Sequence, residues 1–244
     1  MKFLVQSLFA FAQANPIQSG DVSLIRQLIA EVRSMKTVAE RMKHISAKLL
    51  GAAYLRRPLI GSPTEAEVLV TRMDGFDCIT FLETLLAVAR AKSHDEFLAL
   101  LKKIRYRNGA VEYQQRLHYA SEWANHLVQL GMLTDMTGGE TVIEREKLLD
   151  VVQGIQPINA RLHYYPRHEL AVVSRWLKNG DWILFASGRK GLDVSHAGLI
   201  VRNGEQVWMR HATRSHRKVI EQDLIEFFGI LPMNGFMIYR PKEI

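Results

Sequence analysis

The chain has 244 residues, of which 48% are hydrophobic, and a formal net charge of +7 at neutral pH. This length and composition predict a single globular domain over residues 1–244, with a core large enough to need no disulfide or structural metal. Cys78 is the single cysteine, so an internal disulfide is excluded, and no cysteine–histidine cluster has zinc-site spacing. The positive charge predicts an anionic partner, but acidic residues are interspersed with the basic ones, and this pattern does not favour nucleic acid.

Residues 1–14 have two interpretations that the sequence leaves open. A lysine, an apolar run and the small residues Ala12 and Ala14 are typical of a secretory signal with its cleavage site. The segment is short for a signal and two glutamines interrupt it, so an amphipathic first helix fits equally well. No run reaches the ~20 apolar residues needed to span a bilayer, so we expect no stable membrane insertion.

The first third of the chain is predicted to be helical. Residues 15–50 form an expected N-terminal extension, in which Asp21 is a candidate N-cap for a helix with one apolar face. A second helix is expected at about 37–50. Residues 52–76 contain the proline and glycine positions that are typical of an extended connection.

A third helix is expected to begin at Cys78, with Asp74 or Asp77 as its N-cap and an apolar stripe along its length. Further helices are predicted at about 93–103 and 115–130. From Gly180 onward, short apolar runs bounded by turn residues predict strands; these are 181–187, 195–202, 205–211, 218–220 and 235–240. Helices followed by an antiparallel sheet indicate an α+β fold, with the cysteine helix packed on the sheet.

The dipeptide Asn203-Gly204 lies between two of these predicted strands. Asn-Gly in this position favours a two-residue type I′ hairpin. The register that follows places His196 directly opposite His211, on one face and with Cβ atoms ~5 Å apart. Apolar residues share that face, so we expect it to face the core. Two histidines satisfied by hydrogen bonds in a half-buried sheet would produce the same pattern.

Cys78, His196 and His211 include the residue types that cysteine catalysis requires. A cysteine in the first turn of a helix is expected to have a lowered pKa, and the free N–H groups there can stabilise an oxyanion. His196 would act as the base and His211 would orient it. The alternative is that Cys78 is a packed apolar residue, since lone cysteines are often buried.

Three segments carry a resemblance to a known family. FDCITFLET at 76–84, RLHYASEW at 116–123 and GLDVSHAGLIVRNGEQVWMRHAT at 191–213 resemble the N-acetylmuramoyl-L-alanine amidase-like branch of the NlpC-type cell-wall cysteine hydrolases. The likeness extends from about residue 50 to residue 240. It implies a papain-like fold, Cys78 as nucleophile, His196 as base, His211 as orienting residue, and no metal or organic cofactor. The implied substrate is the amide that joins N-acetylmuramic acid to L-alanine, in muropeptide fragments rather than intact wall.

Five further residues are candidates for substrate binding. The resemblance implies that Tyr54 contributes to the pocket. The spacing of Arg116, Tyr119 and Trp123 places them on roughly one face of the predicted helix, where the arginine could bind a substrate carboxylate. Asp193 is a candidate for the pocket mouth. Packed aromatic residues and a solvated loop carboxylate are the structural alternatives.

Two other functions use the same sequence features. A thiol acyltransferase would need the same three residues, and a non-enzymatic, basic cell-wall-binding module would need none of them. A wall-derived substrate leads us to expect the periplasm or export, with a cytoplasmic recycling role as the alternative. We expect a monomer whose partners are muropeptides, not nucleic acid.

Overall fold

The computed structural model describes residues 19–229 and 233–243, so the predicted signal segment or first helix at 1–14 lies outside the described residues. Helices dominate the first half of the chain. Among the described residues, no helix has the length and hydropathy that a membrane-spanning helix requires. The helices are α1 (Ser19–Val32), α2 (Val38–Lys48), α3 (Cys78–Arg90), α4 (His94–Arg105), α5 (Ala120–Gln129), α6 (Leu170–Val173) and α7 (Leu224–Gly229).

Most of the strands belong to one large sheet of ten strands. Its order is β4-β1-β11-β10-β9-β8-β12-β7-β6, with β5 also paired to β12. The sequence predicts an antiparallel sheet, but the β1–β4 pair is parallel. The sheet is therefore mixed. The strands are β1 (Ala53–Tyr54), β2 (Ile60–Ser62), β3 (Glu65–Val68), β4 (Gly75–Phe76), β5 (Leu133–Asp135), β6 (Ile143–Leu149), β7 (Ile158–Pro166), β8 (Trp182–Ala186), β9 (Val194–Asn203), β10 (Gln206–Thr213), β11 (Lys218–Asp223) and β12 (Gly235–Pro241).

Two apolar cores lie on the two faces of this sheet. The larger core packs the first five helices against one face, and Phe81, Leu82 and Leu85 of α3 are fully buried there. The smaller core lies on the other face and includes Phe185 of β8 and Phe227 of α7. Helix α3 therefore packs on the sheet, as the sequence predicts, and both sheet faces are covered.

The helix starts follow from local capping. The Thr37 hydroxyl accepts from the Glu40 N–H, and the Glu40 carboxylate accepts from the Thr37 N–H, each at 3.1 Å. This reciprocal pair confirms the predicted start of α2. Helix α1 is described over Ser19–Val32, so Asp21 lies within it rather than at its cap. Helix α5 begins at Ala120, five residues later than expected, because residues 113–115 form a separate 3₁₀ turn.

An ion pair inside the larger core joins α3 to α4. The Arg105 Nε lies 2.8 Å from Glu83 Oε2, and each side chain is 3% exposed. Arg105 Nη1 also donates to the carbonyl oxygen of Val70 at 2.7 Å. Burial of either charge alone would cost several kcal/mol, so the two residues are compatible with the core only as a pair.

We predict that Arg105→Met lowers the free energy of unfolding by about 3–5 kcal/mol, because Glu83 is left without its counter-charge. Adding Glu83→Leu should recover most of that loss. Urea unfolding followed by circular dichroism measures both effects. The exposed Arg161–Glu146 pair, with nitrogen and oxygen 3.7 Å apart, is the matched control: Arg161→Met should cost no more than about 1 kcal/mol. Equal losses in the two single variants would contradict the prediction.

Candidate active site

The start of α3 is held by the side chain of Asp77. Its Oδ1 accepts from the backbone N–H groups of Ile79 and Thr80 at 3.1 and 2.8 Å, and the Thr80 hydroxyl accepts from the Asp77 N–H at 3.0 Å. This arrangement confirms Asp77 as the N-cap. It makes Cys78 the first helical residue, as the sequence predicts.

The thiol of Cys78 lies against strand β9. Cys78 is partly buried and packs on the larger core. The backbone N–H of Ala197 lies near the thiol and acts to lower its pKa, against the larger effect of burial. Ala197 directly follows His196 in β9, so the helix start and the histidine strand meet at this point.

His196 and His211 contact each other at the same end of the sheet. His196 Nε2 lies 2.6 Å from His211 Nδ1, and the ring centroids are 4.9 Å apart. His211 is fully buried. The rings of Phe185 and Phe227 cover His196, and Phe227 also lies against His211. The predicted proximity of the two histidines is confirmed, and aromatic rings exclude water from much of the pair.

The hairpin register that led to this prediction is wrong by two residues. Asn203 pairs with Gln206, so the central turn residues are Gly204 and Glu205. A type I′ turn needs positive φ at both central residues, and only Gly204, at 60°, has it; glycine at the first position is typical of type II′. Since side chains alternate with a period of two, the shift leaves His196 and His211 on the same face.

The two strands stop pairing just before the histidines. The β9–β10 ladder ends at the Leu199–Arg210 pair. Gly198 is required near this end, because a Cβ there would lie 2.4 Å from a Met209 side-chain carbon. Beyond it, β9 continues along β8 and β10 along β11. The contact between the histidine side chains therefore joins two strands at the point where their backbone hydrogen bonds end.

Burial shifts the ionisation of all three residues towards the neutral form. It raises the pKa of Cys78 to about 12, with the neighbouring Asp77 carboxylate as the next cause, while N–H groups including that of Ala197 oppose the shift. Burial also lowers the pKa of His196 to about 4 and, together with the charge of His196, that of His211 to about 3. The prediction of a lowered thiol pKa is wrong, because desolvation outweighs the helix N–H groups.

Tyr54 lies in the electrostatic surroundings of the thiol. It pairs with Phe76, two residues before Cys78, through the parallel β1–β4 ladder. Burial raises the pKa of the Tyr54 phenol, and the charges of Cys78 and Asp77 contribute further. Tyr54 therefore lies near the cysteine, and its contribution to a substrate pocket stays a prediction.

A cleft of about 580 Å³ opens beside the start of α3. Asp77, Ile79 and Thr80 line it from the helix. Four arginines line the rest together with Glu83, His118 and further polar and apolar residues; the arginines are Arg56, Arg57, Arg105 and Arg116. Arg56 and Arg57 were missed at the level of sequence, where the only signal was a pair of basic residues within a predicted connection.

Arg116 lines this cleft, but from a loop and not from a helix. Its Nη1 lies 2.9 Å from Glu67 Oε1, and its guanidinium stacks over the Tyr113 ring at 4.9 Å. Tyr119 and Trp123 are 1% and 0% exposed and belong to the core. The expected shared helix face is wrong, because α5 begins only at Ala120 and its Trp123 stacks on Trp182 of β8 at 5.0 Å.

Asp193 is buried rather than placed at a pocket mouth. Its Oδ2 accepts from the backbone N–H and the hydroxyl of Ser121, both at 2.6 Å, and its Oδ1 accepts from the Val194 N–H. It therefore joins the start of β9 to α5, and the prediction of a position at the mouth is wrong. Ser195 is exposed at the β-bulge that follows.

Comparison with known proteins gives a consistent family. A family model described as N-acetylmuramoyl-L-alanine amidase-like (AmiA-like) matches residues 44–232. A crystal structure of an N-acetylmuramoyl-L-alanine amidase from Bacteroides uniformis is 26% identical, with a TM-score of 0.74, and the match covers 84% of this chain and 99% of that one. No curated protein matches the chain.

Two other solved structures share the fold. A protein from Legionella pneumophila is 23% identical with a TM-score of 0.81, covering 92% of this chain and 95% of its own. A protein from Bacteroides fragilis described as a putative xylanase is 26% identical with a TM-score of 0.69, covering 80% and 98%. Since the family model spans more than half of the sequence, the chain belongs to the N-acetylmuramoyl-L-alanine amidase-like family and is an amidase-like enzyme.

Proposed function

We propose that this enzyme is a cysteine-dependent amidase that hydrolyses the bond between N-acetylmuramic acid and L-alanine in peptidoglycan fragments. One observation carries the proposal: the Cys78 thiol, at the start of α3, meets β9 beside His196, which is hydrogen-bonded to His211. The family and the similar Bacteroides uniformis amidase support the choice of amide. A cysteine on a helix start, a histidine on one strand and a polar residue on the next is the papain-like layout.

Each residue has a defined role in the proposed reaction. The Cys78 sulfur attacks the lactyl carbonyl carbon while its proton passes to His196. Because His196 Nε2 is occupied by His211, Nδ1 is the nitrogen available to the thiol. The oxyanion is stabilised by the backbone N–H of Cys78 at the helix start.

The intermediate then collapses and the acyl group is released. His196 returns its proton to the alanine nitrogen, the carbon–nitrogen bond breaks, and L-alanine or its peptide leaves with a free amine. Water, deprotonated by His196, attacks the thioester carbon; the carbon–sulfur bond breaks, the lactyl carboxylic acid of N-acetylmuramic acid leaves, and His196 returns the proton to the Cys78 sulfur. In a thiol acyltransferase an amine or alcohol would replace this water, so product analysis distinguishes the two activities.

The arginine-lined cleft is the proposed binding site for the substrate's peptide. A muropeptide stem carries carboxylates, and guanidinium groups bind carboxylates through paired hydrogen bonds. Arg56 and Arg57 are exposed at the cleft, whereas Arg116 is already paired with Glu67. We therefore assign carboxylate binding mainly to Arg56 and Arg57, with Tyr54 closer to the scissile bond.

A substrate derived from the cell wall favours a periplasmic or exported enzyme, acting as a monomer on soluble fragments. Whether residues 1–14 are removed decides between export and a cytoplasmic recycling role. Mass spectrometry of the protein's N-terminus after expression in its natural host tests this directly.

We predict that Cys78→Ala lowers kcat for release of L-alanine from N-acetylmuramoyl-L-alanine by about 10⁴-fold or more, because the nucleophile is removed. Amine release measured by chromatography gives the rate, and circular dichroism confirms that the variant is folded. Ser195→Ala is the matched control beside His196 and should retain activity within about threefold. Equal activity of Cys78→Ala and wild type would overturn the proposal and favour a binding module.

We predict that Cys78 is a neutral thiol at neutral pH, not a thiolate paired with imidazolium, because burial raises its pKa to about 12 and lowers that of His196 to about 4. His196 is then neutral and able to accept a proton at pH values above its pKa. This basic form is lost as pH falls through that value, so kcat/KM should decline only in acid. The thiolate ultraviolet absorbance, measured as the difference between wild type and Cys78→Ser, should be absent at neutral pH. Thiolate absorbance that is already present at acidic pH would contradict this prediction.

We predict that Arg56→Gln combined with Arg57→Gln raises KM for a muropeptide with an acidic stem by about tenfold and leaves kcat nearly unchanged, because binding distant from the scissile bond is lost. Steady-state kinetics on N-acetylmuramoyl-L-alanine, which lacks the longer stem, provides the internal comparison and should change less. Arg161→Gln, on an exposed strand, is the control for lost surface charge. An unchanged KM would remove these arginines from the binding site.

A further inference from the structure

The His196–His211 hydrogen bond determines where the proton of each ring must lie. A base that acts through Nδ1 must carry its own proton on Nε2, which then donates to His211 Nδ1 at 2.6 Å. Because His211 Nδ1 is then an acceptor, the proton of His211 must lie on Nε2. The reverse tautomers would place a proton on His196 Nδ1 and prevent it from deprotonating the thiol.

The proton on His211 Nε2 has no acceptor at hydrogen-bonding distance among the described residues. This nitrogen is buried and makes no hydrogen bond in the structure, and a buried unsatisfied N–H carries a substantial penalty. Phe227 covers the ring from α7 and provides no acceptor. An additional polar group is therefore needed to favour the active tautomer.

Gln222 is placed to supply that acceptor. In the β10–β11 ladder, His211 opposes Ile220 and Met209 opposes Gln222. Gln222 thus lies diagonally from His211 on the same sheet face, at a separation that a long side chain can bridge. Burial and the charge of His196 lower the pKa of His211, and the Gln222 side chain opposes this by raising it, which is the direction expected of an acceptor oxygen near the ring. Glu221, which precedes Gln222 in sequence, pairs with Arg210 instead.

We propose that Gln222 is a positioning residue whose Oε1 accepts the His211 Nε2 proton and thereby sets the tautomers of both histidines. This proposal rests on the proposed cysteine amidase function, in which His196 is the base. The resulting relay is Gln222, His211, His196 and then the Cys78 thiol. Gln222 does not touch substrate; it acts through His211.

The test combines a direct measurement of tautomers with kinetics. Long-range ¹H–¹⁵N NMR of histidine-labelled protein should show wild-type His211 protonated at Nε2, with the signal assigned from the His211→Asn spectrum. In Gln222→Leu, which is similar in size but has no acceptor, His211 should shift towards the Nδ1-protonated form. We expect kcat to fall about tenfold in this variant with KM unchanged.

Gln222→Glu keeps an acceptor and should preserve the wild-type tautomer with kcat within about threefold. The charged groups that act on His211 are His196 and His216, and both lower its pKa. A carboxylate at 222 opposes them, so the acid limb of the kcat profile should move to higher pH. Ile220→Val is the packing control, because it perturbs the residue opposite His211 without changing a hydrogen bond, and should change neither readout.

An unchanged His211 tautomer in Gln222→Leu would overturn the positioning role even if the enzyme proves to be a cysteine amidase. Should Gln222→Leu fail to fold, Gln222→Asn, with a shorter reach, provides the same comparison. An inactive wild type with the expected tautomer shift would reject the proposed function while retaining the relay. The two proposals therefore fail separately.

Discussion

The site depends on the contact between the first turn of α3 and strand β9. Asp77 sets the helix start through three donors to its Oδ1, and the fully buried face of α3 holds the helix against the sheet. This packing brings the Cys78 thiol to the Ala197 N–H, one residue from His196. A small rotation of the helix would move the thiol away from this N–H, so the core and the chemistry share one set of constraints.

The end of the β9–β10 ladder supplies the second constraint. Two strands that remained paired would satisfy each other's backbone groups and hold the two histidines at fixed cross-strand positions. Here the backbone pairing ends at Leu199 and Arg210, and the side chains of His196 and His211 make the next connection. Their aromatic cover lowers the local polarity, which strengthens this hydrogen bond and also disfavours charge on either ring.

Much of this arrangement is predictable from local sequence. The Asp77 cap, the helix that follows it and the shared face of the two histidines depend on short-range rules that the structure obeys. The exact register did not follow, because Gly204 can take the second central position of a type I′ turn or the first central position of a type II′ turn. Strands β6 and β7 were missed, since β6 is an edge strand whose residues are mostly exposed and charged, without the apolar alternation that marks a strand. The burial of Trp123 and Asp193 depends on contacts with residues distant in sequence, Trp182 of β8 and Ser121 of α5, which local spacing does not encode.

Asp77 illustrates how stability and chemistry compete in this site. Its side chain satisfies the exposed N–H groups of α3, and an acidic cap is favourable at a helix N-terminus. The same charge raises the pKa of the adjacent thiol, which opposes formation of a free thiolate. A neutral cap would remove that opposition but would accept the helix N–H groups less strongly. In the proposed reaction, with Asp77 present, the thiol would lose its proton directly to a base during attack, so the orientation and tautomer of His196 would matter more in this site than a permanently lowered thiol pKa.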